Sequence, residues 1–335
     1  MTFFLLPLFL ALNIPAVSES APNKQPQLAA GRDGTIAMVF GSDHAVLFSR
    51  STDNGTTFSK PVQIAEVPAL MLGRHRGPRV AFVGKTILVS AVAGGEQGNL
   101  LLWRSTDEGR TWGKPVALND VAAAAREGLD AMTADDSGHA AAVWLDLRQK
   151  GTRLYGTFSN DAGATWSKNV LVYESPDGTI CQCCHPSLAA LGNGEFAVMF
   201  RNALGGSRDM YLLRVRDGRV AGAAQKLGTA TWKLDACPMD GGGIAVDHGQ
   251  ILTAWRRGTD IYLAHPGAKE THIGAGMDVA LAGAFAIWNH GGSIETKSGV
   301  LGAGTFPSVV GLPDGDVLAA WEDSGTIQVR RLPGK

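Results

Sequence analysis

The 335-residue chain has no excess of charge of either sign, because 30 Lys and Arg residues balance 31 Asp and Glu residues to a net charge of −1. A nucleic-acid-binding protein needs a basic face, so this balance argues against that class of partner. The chain is also poor in cysteine and tyrosine, with four of each. Apolar residues make up 45% of the chain, and 43 residues are glycine. This composition indicates a well-packed protein that is rich in turns.

The longest apolar run lies at the N-terminus, from Met1 to about Ile14, and small and polar residues follow it at 16–18. The run is too short for a membrane span and is typical of a secretory signal peptide. We assign the leader to residues 1–20 and a single domain to residues 21–335. The run has no Lys or Arg, so a retained N-terminal anchor is the alternative. Export to the periplasm or the exterior would place the cysteines in an oxidising compartment, where disulfides are expected.

A short turn motif occurs three times in the first half of the chain, at a constant spacing of 54 residues. In each copy an Asp can accept hydrogen bonds from backbone N–H groups, and a Gly two residues later supplies a positive-φ position. This predicts a hairpin tip that is closed by an aromatic residue, and acidic residues that are structural rather than catalytic. The motif residues are Ser51, Asp53, Gly55 and Phe58, then Ser105, Asp107, Gly109 and Trp112, and finally Ser159, Asp161, Gly163 and Trp166.

A second repeat consists of an apolar strand, a Gly-containing turn and another apolar strand. Its seven copies begin near Pro26, Pro78, Gly128, Pro186, Pro238, Asp278 and Pro307. Repeats of this kind predict an all-β fold, a seven-bladed β-propeller, with a six-bladed ring as the alternative. The last unit is too short for four strands, so residues 22–25 are expected to complete its sheet and to close the ring, which removes open sheet edges.

Polar side chains gather where the chain enters the first strand and leaves the second strand of each unit. Because strands within a blade are antiparallel, these segments share one face of the ring, and the turn motifs lie on the other. Arginine offers planar bidentate donors to carboxylates, so this face suits an anionic or polyhydroxylated ligand. The predicted ligand-binding residues are Arg74, Arg76, Asp146, Arg148, His185, Arg201, Arg208, Asp240, Arg256 and Glu322.

With its repeated turn motif, the sequence resembles the sialidase superfamily, in which such turns are named Asp boxes. The resemblance implies a six-bladed propeller that cleaves terminal sialic acids, with three arginines on the ligand carboxylate, a Tyr–Glu pair as nucleophile and an Asp as acid/base. The segment from Gly194 to Asn202, followed by Arg208, resembles the family segment that supplies one arginine, which would be Arg201. The family's Arg-Ile-Pro opening reads Lys24-Gln25-Pro26 in this chain.

The family's nucleophile has no counterpart in the chain. The segment that should begin with Tyr begins with Phe306, and no Tyr follows Tyr262. His185 stands where the family's Glu is expected. Phenylalanine has no oxygen with which to attack an anomeric carbon, so we do not expect this chain to use the standard mechanism. The leading hypothesis is therefore a secreted, sialidase-like propeller that binds a glycan or another anionic ligand.

An active glycoside hydrolase of the exo-sialidase type, with a changed mechanism, is the alternative hypothesis. Its carboxylates would come from Glu127, Asp146, Asp240 and Glu322. No protein partner is indicated by the sequence.

The most unusual stretch of the chain contains Cys181, Cys183, Cys184 and His185, and Cys237 precedes the next unit at the equivalent place. In an extended segment Cys184 would point away from the other three. One interpretation pairs the cysteines in one or two disulfides that tie neighbouring blades, with three complete pairings open. Another assigns Cys181, Cys183, His185 and Cys237 to a soft metal, Cu(I) or Zn(II), as in a periplasmic metal-handling protein. Redox chemistry by an exposed dithiol is the third.

Overall fold

The computed structural model describes residues 11–334 except 17 and 19, and every regular element within that part of the chain is a β-strand. The strands form seven four-stranded antiparallel sheets, which are the blades of a β-propeller. The predictions of an all-β fold and of seven blades are confirmed. Among these residues there is no helix with the length and apolar character that a membrane crossing requires.

The blades follow one another along the chain, and each begins with its innermost strand. Blade 1 contains β2 (Asn23–Ala30), β3 (Ile36–Ser42), β4 (Ala45–Ser51) and β5 (Val62–Glu66), and blade 2 contains β6 (Arg79–Val83), β7 (Thr86–Ala93), β8 (Asn99–Ser105) and β9 (Val116–Ala117). Blade 3 contains β10 (Asp130–Ala134), β11 (Ala140–Asp146), β12 (Arg153–Ser159) and β13 (Val170–Tyr173), and blade 4 contains β14 (Ser187–Gly192), β15 (Glu195–Arg201), β16 (Met210–Arg216) and β17 (Arg219–Lys226). Blade 5 contains β18 (Gly242–Asp247), β19 (Gln250–Arg257), β20 (Asp260–Ala264) and β21 (Thr271–Ala275), and blade 6 contains β22 (Met277–Ala282), β23 (Phe285–His290), β24 (Ser293–Thr296) and β25 (Gly299–Ala303). Blade 7 contains β26 (Thr305–Gly311), β27 (Val317–Asp323), β28 (Thr326–Leu332) and β1 (Ala11–Ile14).

The ring is closed by β1, which pairs antiparallel with β28 and supplies the fourth strand of blade 7. The expectation that residues 22–25 would do this is wrong, because Asn23 and Lys24 already pair with β3 in blade 1. Ile14 is buried between blades 7 and 1, so apolar packing anchors the closing strand. This strand falls within the predicted leader, of which residues 1–10, 17 and 19 lie outside the described residues, and the leader stays a prediction.

In the described chain the hydrophobic core consists of seven clusters, one at each contact between neighbouring blades. Both faces of a blade are covered by its neighbours, and second strands such as β3 and β11 are therefore buried along their whole length. Four tryptophans of second strands are nearly fully buried in these clusters, where they pack between blades: Trp144, Trp255, Trp288 and Trp321. The innermost strands contact one another in a closed ring around the axis.

The three turn motifs join the third and fourth strands of blades 1 to 3. In each motif the Ser hydroxyl accepts a hydrogen bond from the Gly N–H at 2.8–2.9 Å and donates to the Asp carboxylate. The Thr that precedes the aromatic residue donates its hydroxyl to the same carboxylate at 2.6 Å. These carboxylates are therefore committed to closing the turns.

Each turn is also fastened to the preceding blade. A guanidinium of that blade donates to the carbonyl of the residue before the motif's Gly, and the Gly packs closely against an apolar side chain of the same blade. The arginine donors are Arg331, Arg50 and Arg104, and the apolar side chains are Leu318, Phe48 and Leu88. The closing Trp112 meets Phe48 edge to face at 5.2 Å between ring centroids. The motifs thus join blades as well as strands.

Acid should weaken these turns. Hydrogen bonds from Thr111 lower the pKa of Asp107 to about 2, and those from Thr165 lower the pKa of Asp161 to about 2. Both values lie below the ordinary 3.8, so these carboxylates stabilise the fold above that pH, and the contribution is lost as pH falls towards 2. We expect the midpoint of thermal unfolding to decline over this range, and Asp107→Asn with Asp161→Asn to flatten the decline. An equally steep decline in the double variant would contradict this assignment.

Candidate functional site

The innermost strands enclose a channel of about 470 Å³ along the axis of the ring. In five blades a non-glycine residue with left-handed φ stands where the chain enters the innermost strand. These residues are Gln25 (φ 56°), His75 (φ 65°), Met239 (φ 55°), Asp278 (φ 58°) and Phe306 (φ 52°). At Gln25, Asp278 and Phe306 the strand register also shifts, as at a β-bulge. Such a backbone costs a non-glycine residue free energy, so its recurrence at one place requires a compensating interaction.

His75 of blade 2 is the side chain on which other blades converge. Its Nε2 lies 2.6 Å from Oδ1 of Asp278 in blade 6, and its ring stacks on His185 of blade 4 at 4.1 Å between centroids. The ring of Phe306 in blade 7 stands perpendicular to His75 at 5.2 Å. Asp240 of blade 5 completes the group, because ligand atoms of His75, Asp240 and Asp278 lie within 4.8 Å of one another. We name these five residues the axial cluster.

Burial shifts the pKa values of two members of the axial cluster, Asp240 and His185. Burial, and after it the nearby Asp278 carboxylate, raises the pKa of Asp240. Burial and the adjacent His75 lower the pKa of His185 well below its usual value, so this imidazole is neutral at pH 7. The cluster therefore presents hydrogen-bonding groups rather than a dense fixed charge.

Two of the predicted arginines are engaged by the protein itself. Arg201 is 1% exposed and donates to the backbone carbonyls of Arg208 at 2.7 Å, Asp240 at 3.0 Å and Arg256 at 3.1 Å. Nε of Arg256 lies 2.9 Å from the Asp240 carboxylate. The Trp232 ring covers both guanidinium groups, at 5.2 Å and 5.4 Å. These side chains hold blades 4 and 5 together, and neither has a free fork for a ligand carboxylate.

Three other predicted residues are also held by protein groups. Arg148 donates twice to Asp146, at 2.9 Å and 3.0 Å, and lies over the ring of Tyr155 at 4.0 Å, so this pair is an ion pair within blade 3. Arg76 donates to the Glu127 carbonyl at 2.6 Å. The structure does not bring Asp146 or Arg148 into the axial cluster.

The remaining predicted residues, Arg74, Arg208 and Glu322, lie where the chain enters an innermost strand or leaves a second strand. Glu322 accepts hydrogen bonds from the backbone and side-chain amides of Gln25, and burial raises its pKa. Arg74 is exposed, with a terminal guanidinium nitrogen 2.7 Å from the Met239 sulfur. Arg208 is half-buried and donates to a backbone carbonyl at 3.3 Å. Arg74 and Arg208 thus supply positive charge beside the axial cluster.

His75, Asp278 and Phe306 are functional candidates that sequence reasoning did not place among the ligand-binding residues. The available signal was positional, because each stands at or just before the start of one of the seven repeated innermost strands. Phe306 was singled out only as the residue that replaces a Tyr. All three residues have a left-handed backbone, and their side chains meet at the axis. The sequence does not reveal this backbone conformation.

The four cysteines meet beside the axial cluster. A disulfide joins Cys183, which precedes blade 4, to Cys237, which precedes blade 5, so the prediction that cysteines tie neighbouring blades is confirmed. Cys181 and Cys184 are buried free thiols with sulfurs 3.4 Å apart. The extended conformation expected for this segment is wrong, because residues 182–184 form a turn that folds Cys184 back onto Cys181. The four residues predicted to bind Cu(I) or Zn(II) do not form a ligand set in this structure. Cys183 and Cys237 are bonded to each other, and disulfide sulfurs are not thiolate ligands.

Comparison with known proteins gives structural likeness only. No family model and no curated protein matches the sequence. Among solved structures, the Hadza microbial sialidase Hz136 matches with a TM-score of 0.54 and 14% identity over 92% of this chain, which spans 65% of that protein. The leech intramolecular trans-sialidase matches with a TM-score of 0.57 and 11% identity over 95% of this chain and 69% of that one.

A third match is a protein of unknown function from Dyadobacter fermentans, with a TM-score of 0.55 and 16% identity over 98% of this chain and 100% of that one. Identities this low carry the fold alone. The chain is therefore a β-propeller with a sialidase-like fold and a divergent sequence, and it spans about two thirds of the Hadza sialidase and of the leech trans-sialidase.

Proposed function

We propose that this protein is an exported glycan-binding propeller whose ligand site is the channel mouth at the axial cluster. The observation that carries the proposal is the convergence of side chains from five blades on the axis. His75, Asp278 and Phe306 reach that position with left-handed backbones. Strain of this kind persists where the surrounding structure imposes it, and it is found preferentially at binding and catalytic sites.

The chemistry of the axial cluster favours a ligand rich in hydroxyl groups. The neutral imidazole of His185 both donates and accepts hydrogen bonds, and the ring nitrogens of His75 and the carboxyl oxygens of Asp278 add further hydrogen-bonding atoms. These three residues therefore match sugar hydroxyls. The ring of Phe306 adds an aromatic surface. Because Arg201 and Arg256 are committed to protein acceptors, a neutral sugar fits this site better than the carboxylate of a sialic acid. The glycan class is supported by the sialidases among the structural neighbours.

Binding without cleavage is proposed from the same residues. Phe306 lies at the axis in the place where the family resemblance expects Tyr, and it offers no nucleophilic oxygen. The raised pKa of Asp240 would suit a general acid, but its side chain is fully buried and does not reach a glycosidic oxygen. Export is supported by the apolar N-terminal segment and by the disulfide, a bond that persists in oxidising compartments.

The test is calorimetric titration with a panel of neutral and sialylated oligosaccharides. His75→Ala is expected to lower the affinity for the best ligand by about tenfold or more. Hydrogen bonds at the axis are lost, and a loss of about 1.4 kcal/mol corresponds to tenfold in affinity. His248→Ala is the matched control, since that side chain is 97% exposed in a turn. Unchanged affinity in His75→Ala would contradict the proposed site. If the protein hydrolysed a fluorogenic sialoside, and if Asp278→Asn abolished that hydrolysis, catalysis would replace binding as the proposed function of this site.

A further inference from the structure

The four sulfurs form a continuous path from the interior to the surface. Cys181 and Cys184 are 3% and 2% exposed, whereas Cys237 is exposed. The Cys183 sulfur lies 3.8 Å from that of Cys181 and 3.9 Å from that of Cys184. Each buried thiol is thus close to the inner half of the Cys183–Cys237 disulfide, and the outer half of the same bond faces solvent.

We propose that the four cysteines form a thiol–disulfide exchange site, in which the buried Cys181/Cys184 pair supplies two electrons and the Cys183–Cys237 bridge passes them to a small disulfide substrate. This activity is independent of the proposed glycan binding. Arg74 and Arg208 supply positive charge near the bridge, which favours an anionic disulfide such as oxidised glutathione.

The first stage is exchange inside the protein. The Cys181 thiolate attacks the Cys183 sulfur, the bond between Cys183 and Cys237 breaks, and Cys237 leaves and takes the proton that Cys181 gave up. Cys184 then attacks the Cys181 sulfur and releases Cys183 as a thiol. One disulfide and two thiols are present before and after, so this stage needs no external oxidant.

The second stage is reduction of the substrate. The exposed Cys237 thiolate attacks one sulfur of the substrate disulfide and releases the first substrate thiol. Cys183 attacks Cys237 in the mixed disulfide, releases the second substrate thiol and restores the Cys183–Cys237 bond. The two protons of the original buried thiols leave on the two substrate thiols. The substrate is reduced by two electrons, and the Cys181/Cys184 pair is oxidised to a disulfide.

The surroundings of the pair distinguish an attacking thiol from a reserve thiol. A hydrogen bond from Cys184, together with the charges of Arg201 and Arg208, lowers the pKa of Cys181 to about 7. Burial raises the pKa of Cys184 well above its ordinary value. The thiolate is the nucleophile in disulfide exchange, so Cys181 is the residue that starts the sequence. Two buried cysteines that served only as apolar packing would need neither a short separation nor adjacent arginines.

The experiment mixes protein, purified without reductant, with oxidised glutathione under anaerobic and native conditions. Wild type is expected to release two glutathione molecules per chain and to lose both titratable thiols. Peptide mapping should then find a Cys181–Cys184 bond beside the retained Cys183–Cys237 bond. The Cys181→Ser/Cys184→Ser variant, which keeps the bridge, should release none.

A second variant tests the relay itself. Cys183→Ser/Cys237→Ser keeps the buried pair and removes the bridge, so glutathione release is expected to slow by at least about tenfold. Undiminished release would mean that the buried thiols react directly and would overturn the relay. The proposal would also fall if folded wild type released no glutathione and its thiols titrated only in denaturant. The thermal unfolding midpoint of each variant confirms that it is folded.

Discussion

Replacing Arg201 by methionine is expected to lower the free energy of unfolding by about 3–5 kcal/mol, because it removes the donor of a buried, charged network. Arg201 is almost fully buried and donates to four backbone carbonyls of blades 4 and 5. Methionine has a similar length but no donor, and an unsatisfied buried polar group costs about 1–3 kcal/mol. Urea denaturation at neutral pH measures the change.

The matched control is Arg214→Met on β16. Arg214 has a 52% exposed side chain and pairs with Glu195 at the surface, so its loss should cost less than about 1 kcal/mol. Similar small losses in both variants would show that Arg201 does not hold the two blades together. If Arg201→Met left stability unchanged but abolished glycan binding, Arg201 would belong to the ligand site, as the family resemblance implies, and the structural role would be wrong.

The second large effect is expected for Gly109→Ala in the turn motif of blade 2. Gly109 has φ +84°, and a Cβ added there would overlap the ring of Phe48 in blade 1. Left-handed backbone costs a non-glycine residue about 1–2 kcal/mol, and overpacking adds about 1–3 kcal/mol. We expect a total loss of about 2–5 kcal/mol in the free energy of unfolding.

Gly315→Ala separates the two causes. Gly315 lies in the turn between β26 and β27 with φ +91°, and a Cβ added there would meet nothing within 4 Å. Its substitution should therefore cost only the backbone term of about 1–2 kcal/mol. Equal losses in the Gly109 and Gly315 variants would contradict the view that the motif's glycine is required by packing against the preceding blade.

The blades could be predicted because their signals are local. Each innermost strand and its turn are encoded within a short stretch, and the turn residues Asp107 and Gly109 follow from side-chain hydrogen bonding and positive φ. Ring closure could not be predicted in the same way. The closing strand β1 pairs Ala11 with Arg330 across almost the whole chain, and its own sequence is part of an apolar run without strand periodicity.

The site was predictable only in its location. The face that bears the axial cluster follows from antiparallel alternation, but the burial of Arg201 depends on carbonyls brought from three separate segments. For the cysteines, spacing left three complete pairings open, and the turn at residues 182–184 is what brings Cys181 and Cys184 together. The role of His75 depends on a left-handed backbone conformation that no sequence pattern predicts.

The most direct test of the central claim, that the channel mouth is the ligand site, is a crystal structure with the tightest oligosaccharide of the panel. We expect sugar hydroxyl oxygens within about 2.6–3.2 Å of a ring nitrogen of His75 or a carboxyl oxygen of Asp278, with a sugar ring against Phe306. An oligosaccharide held at the rim, or on the face of the turn motifs, with the axial cluster untouched, would contradict it.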